Sequence, residues 1–349
     1  MELLQQTIEK ITGLDQEMMD AARVRVDNLI KPARSLGRLE DLAVQLVGIT
    51  RKPIPSVDQK AIILMSADHG VYEEGITNFP QGVTLAQTLN FPKGLTGVCV
   101  IGKVSGAKIV TVDIGVNGDI PADAGVILKK IKYGTDNIAK GPAMTREEAI
   151  RSIEVGIEIA NEEIAKGVQL LGTGEMGICN TTPSTAILSV IGGFKPEEIT
   201  GRGAGVGDGG IKHKIDVIKQ AIKVNQPNRE DGIDVLAKVG GLEIGGMAGV
   251  MLAAAANRVP VVVDGYISTA AAVIAATLEP RVREYLIPSH ASAEPGGKRG
   301  SELLGIKPII HMDLCLGEGS GAALAFPIVE AACSMMKHMP TFAEAGMTI

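Results

Sequence analysis

The sequence is poor in aromatic residues and has no excess of basic ones. Tryptophan is absent, aromatic residues make up 3% of the 349 positions, and 34 Lys and Arg residues stand against 40 Asp and Glu residues. Nucleic-acid binding usually requires a basic patch or an interleaved row of aromatic side chains. Neither occurs, so we expect no nucleic acid among the partners.

Cysteine and histidine are few and scattered. None of the four cysteines, at positions 99, 179, 315 and 333, belongs to a C-x-x-C pair, which argues against a disulfide framework or a zinc ribbon. The five histidines show no H-E-x-x-H or similar ligand spacing. The sequence therefore encodes no local metal site, and we expect no metal.

Long apolar runs are also missing, although apolar residues make up 45% of the chain. No uninterrupted apolar stretch reaches the roughly 18–20 residues that span a bilayer. The first ten residues, MELLQQTIEK, lack the basic and apolar regions of a signal peptide. We therefore expect a globular cytoplasmic protein with no membrane span.

Five apolar segments, each ending at polar or glycine residues, are typical of buried parallel strands. They span residues 61–68, 108–116, 168–175, 259–267 and 307–316. Helical patterns separate them, and the clearest begins with a predicted capping box between Thr145 and Glu148. This alternation predicts an α/β fold with a mostly parallel, Rossmann-like sheet flanked by helices.

The two ends of the chain differ from this pattern. The first fifty residues contain helical patterns with no strand between them, and the tail after Pro327 is helical and rich in methionine. We predict a small helical subdomain made of residues 1–55 and 328–349. Residues 56–327 would then form the large α/β catalytic domain.

Ligands of open α/β sheets bind beyond the carboxyl ends of the strands, so residues at the predicted strand ends are the first candidates. These candidates are Asp68-His69-Gly70, Asp113, residues 172–177, Asp264-Gly265 and Gly317-Glu318-Gly319. A histidine after a strand, such as His69, is more typical of a hydrogen-bonded strand end than of an acid–base catalyst. His290 shares a polar loop with Ser292 and Glu294.

Two segments, GTGEMG at 172–177 and GVGDGG at 205–210, match the dinucleotide pattern G-x-G-x-x-G. In the first, Glu175 would face a pyrophosphate, and no ribose-binding acid follows about twenty residues later. Glycine-lined loops that present N–H groups to a single phosphate suit both segments better. Lys214 could add a cation there.

The roles of two acids stay open at this point. Asp264 follows an apolar run and could bind ribose hydroxyls or cap a helix. Glu318 lies just before a helical pattern, where an acid complements the helix dipole. The glycines on both sides of Glu318 would also let a substrate approach closely, which favours a catalytic role.

Eight blocks in order make nearly the whole chain resemble the nicotinate-nucleotide–dimethylbenzimidazole phosphoribosyltransferase family. They are KPARSLGRLEDLA (31–43), ADHGV (67–71), FPQGVT (79–84), GEMGICNTTP (174–183), HKIDVI (213–218), VVVDGYIS (261–268), SHASAEPG (289–296) and LGEGSGAALA (316–325). The resemblance implies transfer of 5-phosphoribosyl from nicotinate mononucleotide to a nitrogen of an aromatic base, with inversion. It implies no cofactor, because the leaving nicotinate is already a pyridinium.

The resemblance also implies roles for particular residues. Glu318 would be the general base that takes the proton of the attacking base, and Glu175 would support the ribose and its cationic transition state. The nicotinate mononucleotide site would consist of Gly177, Asn180, Thr181, Gly203, Lys214, Asp264, Ser292, Gly319 and Ser320. The aromatic-base pocket would consist of Phe79, Val83, Gln87, Met176 and Leu316.

Three positions depart from the family pattern. Cys179 stands where a Gly or Ala is expected, Gly297 where many relatives have His, and Phe79 where Tyr or Ser is expected. The acceptor is therefore open among benzimidazoles, purines and phenolic compounds. A homodimer is expected, with a heterodimer with a paralogue as the alternative. The competing functions are a non-catalytic paralogous subunit and a dinucleotide-binding oxidoreductase.

Overall fold

The computed structural model describes residues 2–203 and 208–347. Within these ranges six parallel strands form one sheet in the order β3-β2-β1-β4-β5-β6. The strands are β1 (Lys60–Ala67), β2 (Lys108–Gly115), β3 (Ile127–Leu128), β4 (Leu170–Met176), β5 (Val261–Val263) and β6 (Leu286–Pro288). The predicted α/β class with a parallel sheet is confirmed.

Helices cover both faces of this sheet. They are α1 (Glu2–Lys10), α2 (Gln16–Asp27), α3 (Arg38–Thr50), α4 (Val83–Asn90), α5 (Gly97–Ser105), α6 (Arg146–Ala165), α7 (Thr181–Gly192), α8 (Pro196–Ile199), α9 (Asp208–Asn225), α10 (Gly232–Val239), α11 (Leu242–Ala256), α12 (Tyr266–Leu278), α13 (Pro295–Leu304) and α14 (Ser320–His338). The capping box is confirmed, because Thr145 and Glu148 exchange side-chain-to-backbone hydrogen bonds at the start of α6.

The central strand shows why long apolar runs predicted strands correctly. Every residue of β1 is buried, and its side chains alternate between the two hydrophobic cores on either side of the sheet. Ile63 and Met65 belong to the core that includes α6 and α11. Ile62 and Leu64 belong to the core that includes α3 and α14. Burial on both faces removes the polar alternation of a half-exposed strand.

The predicted strand at 307–316 is wrong. The segment makes a single parallel bridge, between His290 and Ile310, and residues 311–313 and 315–316 are exposed. Polar residues there leave it too little apolar surface to enter the sheet. The outer strand is instead β6, whose three residues are too few to show a period in the sequence.

The predicted glycine loop at 172–177 is also wrong, because residues 170–176 are strand β4. A Cβ on Gly172 would lie 3.0 Å from Phe326, and one on Gly174 would lie 2.6 Å from the Glu318 carbonyl oxygen. The two glycines thus let α14 and the turn before it pack directly on the sheet. The second glycine match, at 205–210, lies partly outside the described residues.

The chain termini meet beside the hydrophobic core that includes α3 and α14. Helices α2, α3 and α14 pack there together, and the Ile30 N–H donates to the Pro340 carbonyl. Helix α14 is continuous across residue 327, so it runs from the edge of the sheet to the terminal helices. The division into two domains stays a prediction. No helix in the described part of the chain is long and apolar enough to cross a membrane.

Candidate active site

A cavity lies beyond the carboxyl ends of β4, β5 and β6, where the fold predicts a ligand. Most of the residues predicted from the sequence line it. They are Phe79, Val83, Gln87, Glu175, Met176, Gly177, Asn180, Thr181, Gly203, Lys214, Asp264, Ser292, Leu316 and Glu318. The structure does not bring Gly319 and Ser320 to the cavity wall; both are buried next to Glu318 and are not among the residues that line the cavity.

The turn before α14 has an unusual backbone. Gly317, Glu318 and Gly319 have φ angles of 82°, 63° and 88°, so three successive residues lie in the left-handed region. This region is disfavoured for a residue with a Cβ such as Glu318, and it persists only where surrounding contacts impose it. A Cβ on Gly317 would also lie 2.4 Å from Glu175 Oε1. The turn therefore requires glycine at 317.

Asp264 supplies the contacts that impose this turn. Its Oδ2 accepts from the Gly319 N–H at 3.0 Å, and its Oδ1 accepts from the N–H groups of Gly321 at 2.8 Å and Ala322 at 3.1 Å. A side-chain acceptor at the first turn of a helix satisfies N–H groups that have no partner within the helix. Asp264 thus caps α14 from β5. Its ribose contact stays a prediction.

Glu318 does not cap the helix that follows it. Its carboxylate is buried and accepts from Gln87 Nε2 at 2.9 Å and from the Val98 N–H at 3.4 Å. These donors come from α4 and from the start of α5, so the side chain points away from α14 and toward the cavity. The arrangement removes the capping interpretation of Glu318 and leaves its carboxylate facing the pocket.

Glu175 is the second buried acid of the cavity. Its Oε2 accepts from the Asn180 amide, and its Oε1 lies 3.4 Å from the Glu318 N–H. Burial, followed by the charges of Asp264 and Glu243, raises the pKa of Glu175 to about 8. Without ligand, Glu175 is therefore largely protonated at neutral pH. A nearby cation would favour its charged form.

Lys214 and Thr181 form a cationic corner of the same cavity. Lys214, from α9, is 2% exposed, and its Nζ donates to Thr181 Oγ1 at 2.7 Å and to the Gly201 carbonyl at 3.4 Å. Burial lowers the pKa of Lys214, which the charge of Glu294 opposes. Thr181 begins α7, so a buried ammonium group and a helix N-terminus meet here. Both favour an anion.

Apolar side chains form the outer wall. Leu316 and Phe79 are 57% and 43% exposed, and Met176 and Val83 are half-buried. A Cβ on Gly97 would lie 2.6 Å from Leu316 Cδ2 and 3.3 Å from Glu318 Oε2, so the start of α5 packs against this wall. The wall is suited to the flat face of an aromatic ring, next to the Glu318 carboxylate.

A buried acid–histidine pair lies beneath the cavity floor. His69 Nε2 is 2.8 Å from Glu243 Oε1, and both side chains are almost fully buried. Burial alone would lower the pKa of His69. The charge and hydrogen bond of Glu243 and the charge of Asp68 outweigh this effect, so the pKa of His69 is raised. This is the hydrogen-bonded strand end that the sequence favoured for His69. No sequence signal pointed to its partner, which lies 174 residues away.

Cys179 also lines the cavity, and its φ angle is 78°. Glycine adopts this angle without strain. This explains why the family pattern can have a glycine at this position. Burial raises the pKa of the Cys179 thiol to about 12, so the thiol is neutral. Among residues 2–203 and 208–347, no group of three or more His, Cys, Asp or Glu side chains could hold a metal ion.

Sequence comparisons identify similar proteins over the full chain. A family model described as phosphoribosyltransferase matches residues 11–347. A nicotinate-nucleotide–dimethylbenzimidazole phosphoribosyltransferase from Alkaliphilus metalliredigens strain QYMF is 72% identical over 349 residues, which is 100% of both chains. The protein of the same description from Clostridioides difficile strain 630 is 52% identical over 347 residues, 99% of both chains.

A solved structure shows the same fold. The crystal structure of CobT from Thermus thermophilus is 39% identical, has a TM-score of 0.92, and is matched over 95% of this chain and 99% of that chain. The similarity in sequence and in structure thus extends over nearly the whole chain, including the segments around the cavity.

The raised pKa of Glu175 predicts how stability depends on pH. As pH rises from about 4.5 to about 8, the unfolded chain ionises Glu175 while the folded chain keeps it protonated, so folding stability is lost. The loss is about 1.4 kcal/mol per pH unit in this window. Glu175→Gln does not titrate, so its stability relative to the unsubstituted protein should increase across the window. Urea unfolding at pH 5, 7 and 9 measures the difference.

The matched control is Glu302→Gln, the same substitution on the exposed side of α13. A stability difference between Glu175→Gln and the unsubstituted protein that stays constant from pH 5 to pH 9 would contradict the raised pKa of Glu175.

Proposed function

The chain belongs to the phosphoribosyltransferase family, and from this premise we propose that it transfers 5-phosphoribosyl from nicotinate mononucleotide to an aromatic base. The products would be an α-riboside 5′-phosphate and nicotinate. One observation carries the proposal: the buried Glu318 carboxylate lines the same cavity as an apolar wall and a cationic corner. The descriptions of the two similar proteins support the choice of substrates.

The cationic corner would hold the phosphate of the nucleotide. Lys214 supplies a buried charge, Thr181 supplies a helix N-terminus, and Gly203 supplies a backbone N–H on the same side. A phosphate monoester is an acceptor-rich anion that such donors recognise. Because this corner and Glu175 line the same cavity, a ribose between them would lie beside the Glu175 carboxyl group.

Glu175 would act on the charge that the reaction develops. The bound pyridinium is cationic, and the sugar gains positive charge as nicotinate leaves, so both states favour an ionised acid nearby. Since the pKa of Glu175 is about 8 in the free chain, a pyridinium ring nitrogen bound beside Glu175 would favour release of its proton. The carboxylate formed in this way would stabilise the transition state more than the uncharged free acid.

Glu318 would take the proton of the attacking base. An ionised carboxylate offers about four acceptor sites, and Gln87 and the Val98 N–H occupy two of them. The remaining lone pairs can accept from a ring N–H held against Leu316 and Phe79. Gln87 would thus orient the base catalyst, in addition to lining the pocket as the sequence predicted.

Two alternatives are less well supported. A dinucleotide-binding oxidoreductase would need a glycine loop at 172–177, and these residues belong largely to strand β4. A non-catalytic paralogous subunit would not need Glu318, Glu175 and Lys214 together, and all three line one cavity here. The acceptor class is an aromatic ring, a benzimidazole, a purine or a phenol, because each has an apolar face that can lie against this wall.

Incubation with nicotinate mononucleotide and a panel of acceptors tests the function. We expect riboside phosphates with 5,6-dimethylbenzimidazole or a related base, detected by mass spectrometry together with free nicotinate. Adenine and phenol in separate reactions identify the acceptor class. Absence of product with every acceptor, alone or with a paralogue added, would exclude the proposed reaction.

Glu318→Gln tests the general base. We expect the rate of transfer to fall by roughly 10²–10⁴-fold, because the amide cannot accept the proton, while the KM for nicotinate mononucleotide changes little. Steady-state kinetics measure both values, and Glu302→Gln again serves as the surface control. Full turnover by a folded Glu318→Gln protein would contradict the role.

Two further proposals rest on the resemblance. The chain would form a homodimer, or a heterodimer if a paralogue is present, and it would act in the cytoplasm. The exposed apolar side chains of Leu95, Val100 and Val104 are consistent with a buried interface. Light scattering should give twice the chain mass of 36.4 kDa, and a monomer at micromolar concentration would contradict the dimer. Cell fractionation tests the location.

A further inference from the structure

Glu294 is an acid in the cationic corner that the roles described above do not use. It lines the cavity with Lys214 and Gly203. Its Oε1 accepts from the Gly203 N–H at 2.9 Å. Its Oε2 is buried and has no hydrogen-bond partner in the part of the chain that the structure describes. The carboxylate therefore occupies a site that is otherwise suited to the phosphate of a substrate.

A structural role as a helix cap does not account for this position. Glu294 precedes α13, but its side chain makes no capping hydrogen bond. It reaches instead to the segment 201–203, where a Cβ on Gly201 would lie 1.9 Å from Oε2. A buried carboxylate oxygen without a partner is costly. A purely structural contact would be cheaper with an uncharged side chain.

The neighbours of Glu294 are those expected for an anion. Lys214 is buried, and the charge of Glu294 raises the pKa of Lys214 against the effect of burial. Thr181, the first residue of α7, is hydrogen-bonded to the same ammonium group. A Cβ on Gly203 would lie 3.2 Å from Lys214 Nζ and 2.7 Å from Thr181 Oγ1. Gly203, whose N–H donates to Glu294, thus lies next to both Lys214 and Thr181.

We propose that the Glu294 carboxylate is a placeholder for the phosphate of the substrate. In the free chain it accepts the Gly203 N–H, and its charge acts on the nearby Lys214. The incoming phosphate would take over this N–H and would lie beside the Lys214 ammonium group in its place. This inference rests on the proposed function, because it takes the nucleotide phosphate as the ligand of the corner. No bond is made or broken; one anion replaces another.

The replacement has a consequence for specificity. A phosphate brings about two charges and three acceptor oxygens, so it can compete with a single carboxylate for the donors. A riboside without phosphate cannot displace Glu294 and gains nothing from the corner. The Glu294 charge thus compensates the buried Lys214 charge until a phosphorylated sugar binds. By the same competition, it weakens the binding of every anion to this corner.

Glu294→Gln tests the placeholder, because the amide oxygen can still accept from the Gly203 N–H while the charge is removed. Calorimetry with inorganic phosphate, nicotinate mononucleotide and nicotinate riboside gives three dissociation constants. We expect the substituted protein to bind phosphate and the mononucleotide about three- to tenfold more tightly, since a like charge has been removed. The affinity for the riboside should stay within about twofold.

Controls and outcomes separate the possibilities. Glu302→Gln, on the exposed side of α13, should leave all three affinities unchanged, and circular dichroism checks the fold of both proteins. Weaker binding of the mononucleotide and the riboside together by Glu294→Gln would make Glu294 a ribose ligand and overturn the proposal. Unchanged affinity for phosphate would overturn it as well.

The same measurements distinguish this proposal from the proposed function. If the unsubstituted protein forms riboside phosphates but Glu294→Gln binds phosphate no more tightly, the placeholder alone fails. If Glu294→Gln binds phosphate more tightly but no acceptor is ribosylated, the anion exchange stands and the transferase reaction fails.

Discussion

Three N–H groups at the start of α14 donate to one carboxylate, that of Asp264, and the arrangement of the cavity depends on this contact. It joins the end of β5 to a turn of three left-handed residues. Because the turn is fixed, the Glu318 side chain points toward Gln87 and the Val98 N–H rather than along its own helix. The same turn brings its backbone N–H to Glu175. Two acids with different environments thus face one pocket.

The different environments of these acids suit opposite tasks. Burial and neighbouring negative charges raise the pKa of Glu175, which makes its charge responsive to a bound cation. Glu318 accepts hydrogen bonds from two uncharged donors and keeps lone pairs for a proton. In the cationic corner, the charge of an acid of the protein itself, Glu294, raises the pKa of Lys214. Charge in this cavity is therefore arranged to change when a substrate binds.

Much of the fold could be predicted from the sequence, because β1, β2 and β4 are long enough to show continuous apolar runs. The segment 307–316 has such a run too, but its polar residues keep it at the rim, where it makes one bridge. The two candidate roles of Glu318 and Asp264 could not be separated by sequence, since capping depends on a contact across 55 residues. For the same reason, neither the Glu243–His69 pair nor the Glu294–Gly203 contact was predicted; these span 174 and 91 residues. The resemblance to the family predicted most of the cavity residues, because residues of one family site lie together in space even where they are far apart in sequence. Residue spacing alone does not show which distant residues meet.

Helix α14 begins at the turn of Glu318 and ends, 19 residues later, among the terminal helices. At 1.5 Å per residue it is about 28 Å long, and its buried side chains couple it to α3 and α5 along this length. Its first turn is held at the end of β5 by Asp264, and its length packs against α3 and α5. The position of the Glu318 carboxylate is therefore tied to the packing of the helices near the chain termini as well as to the sheet.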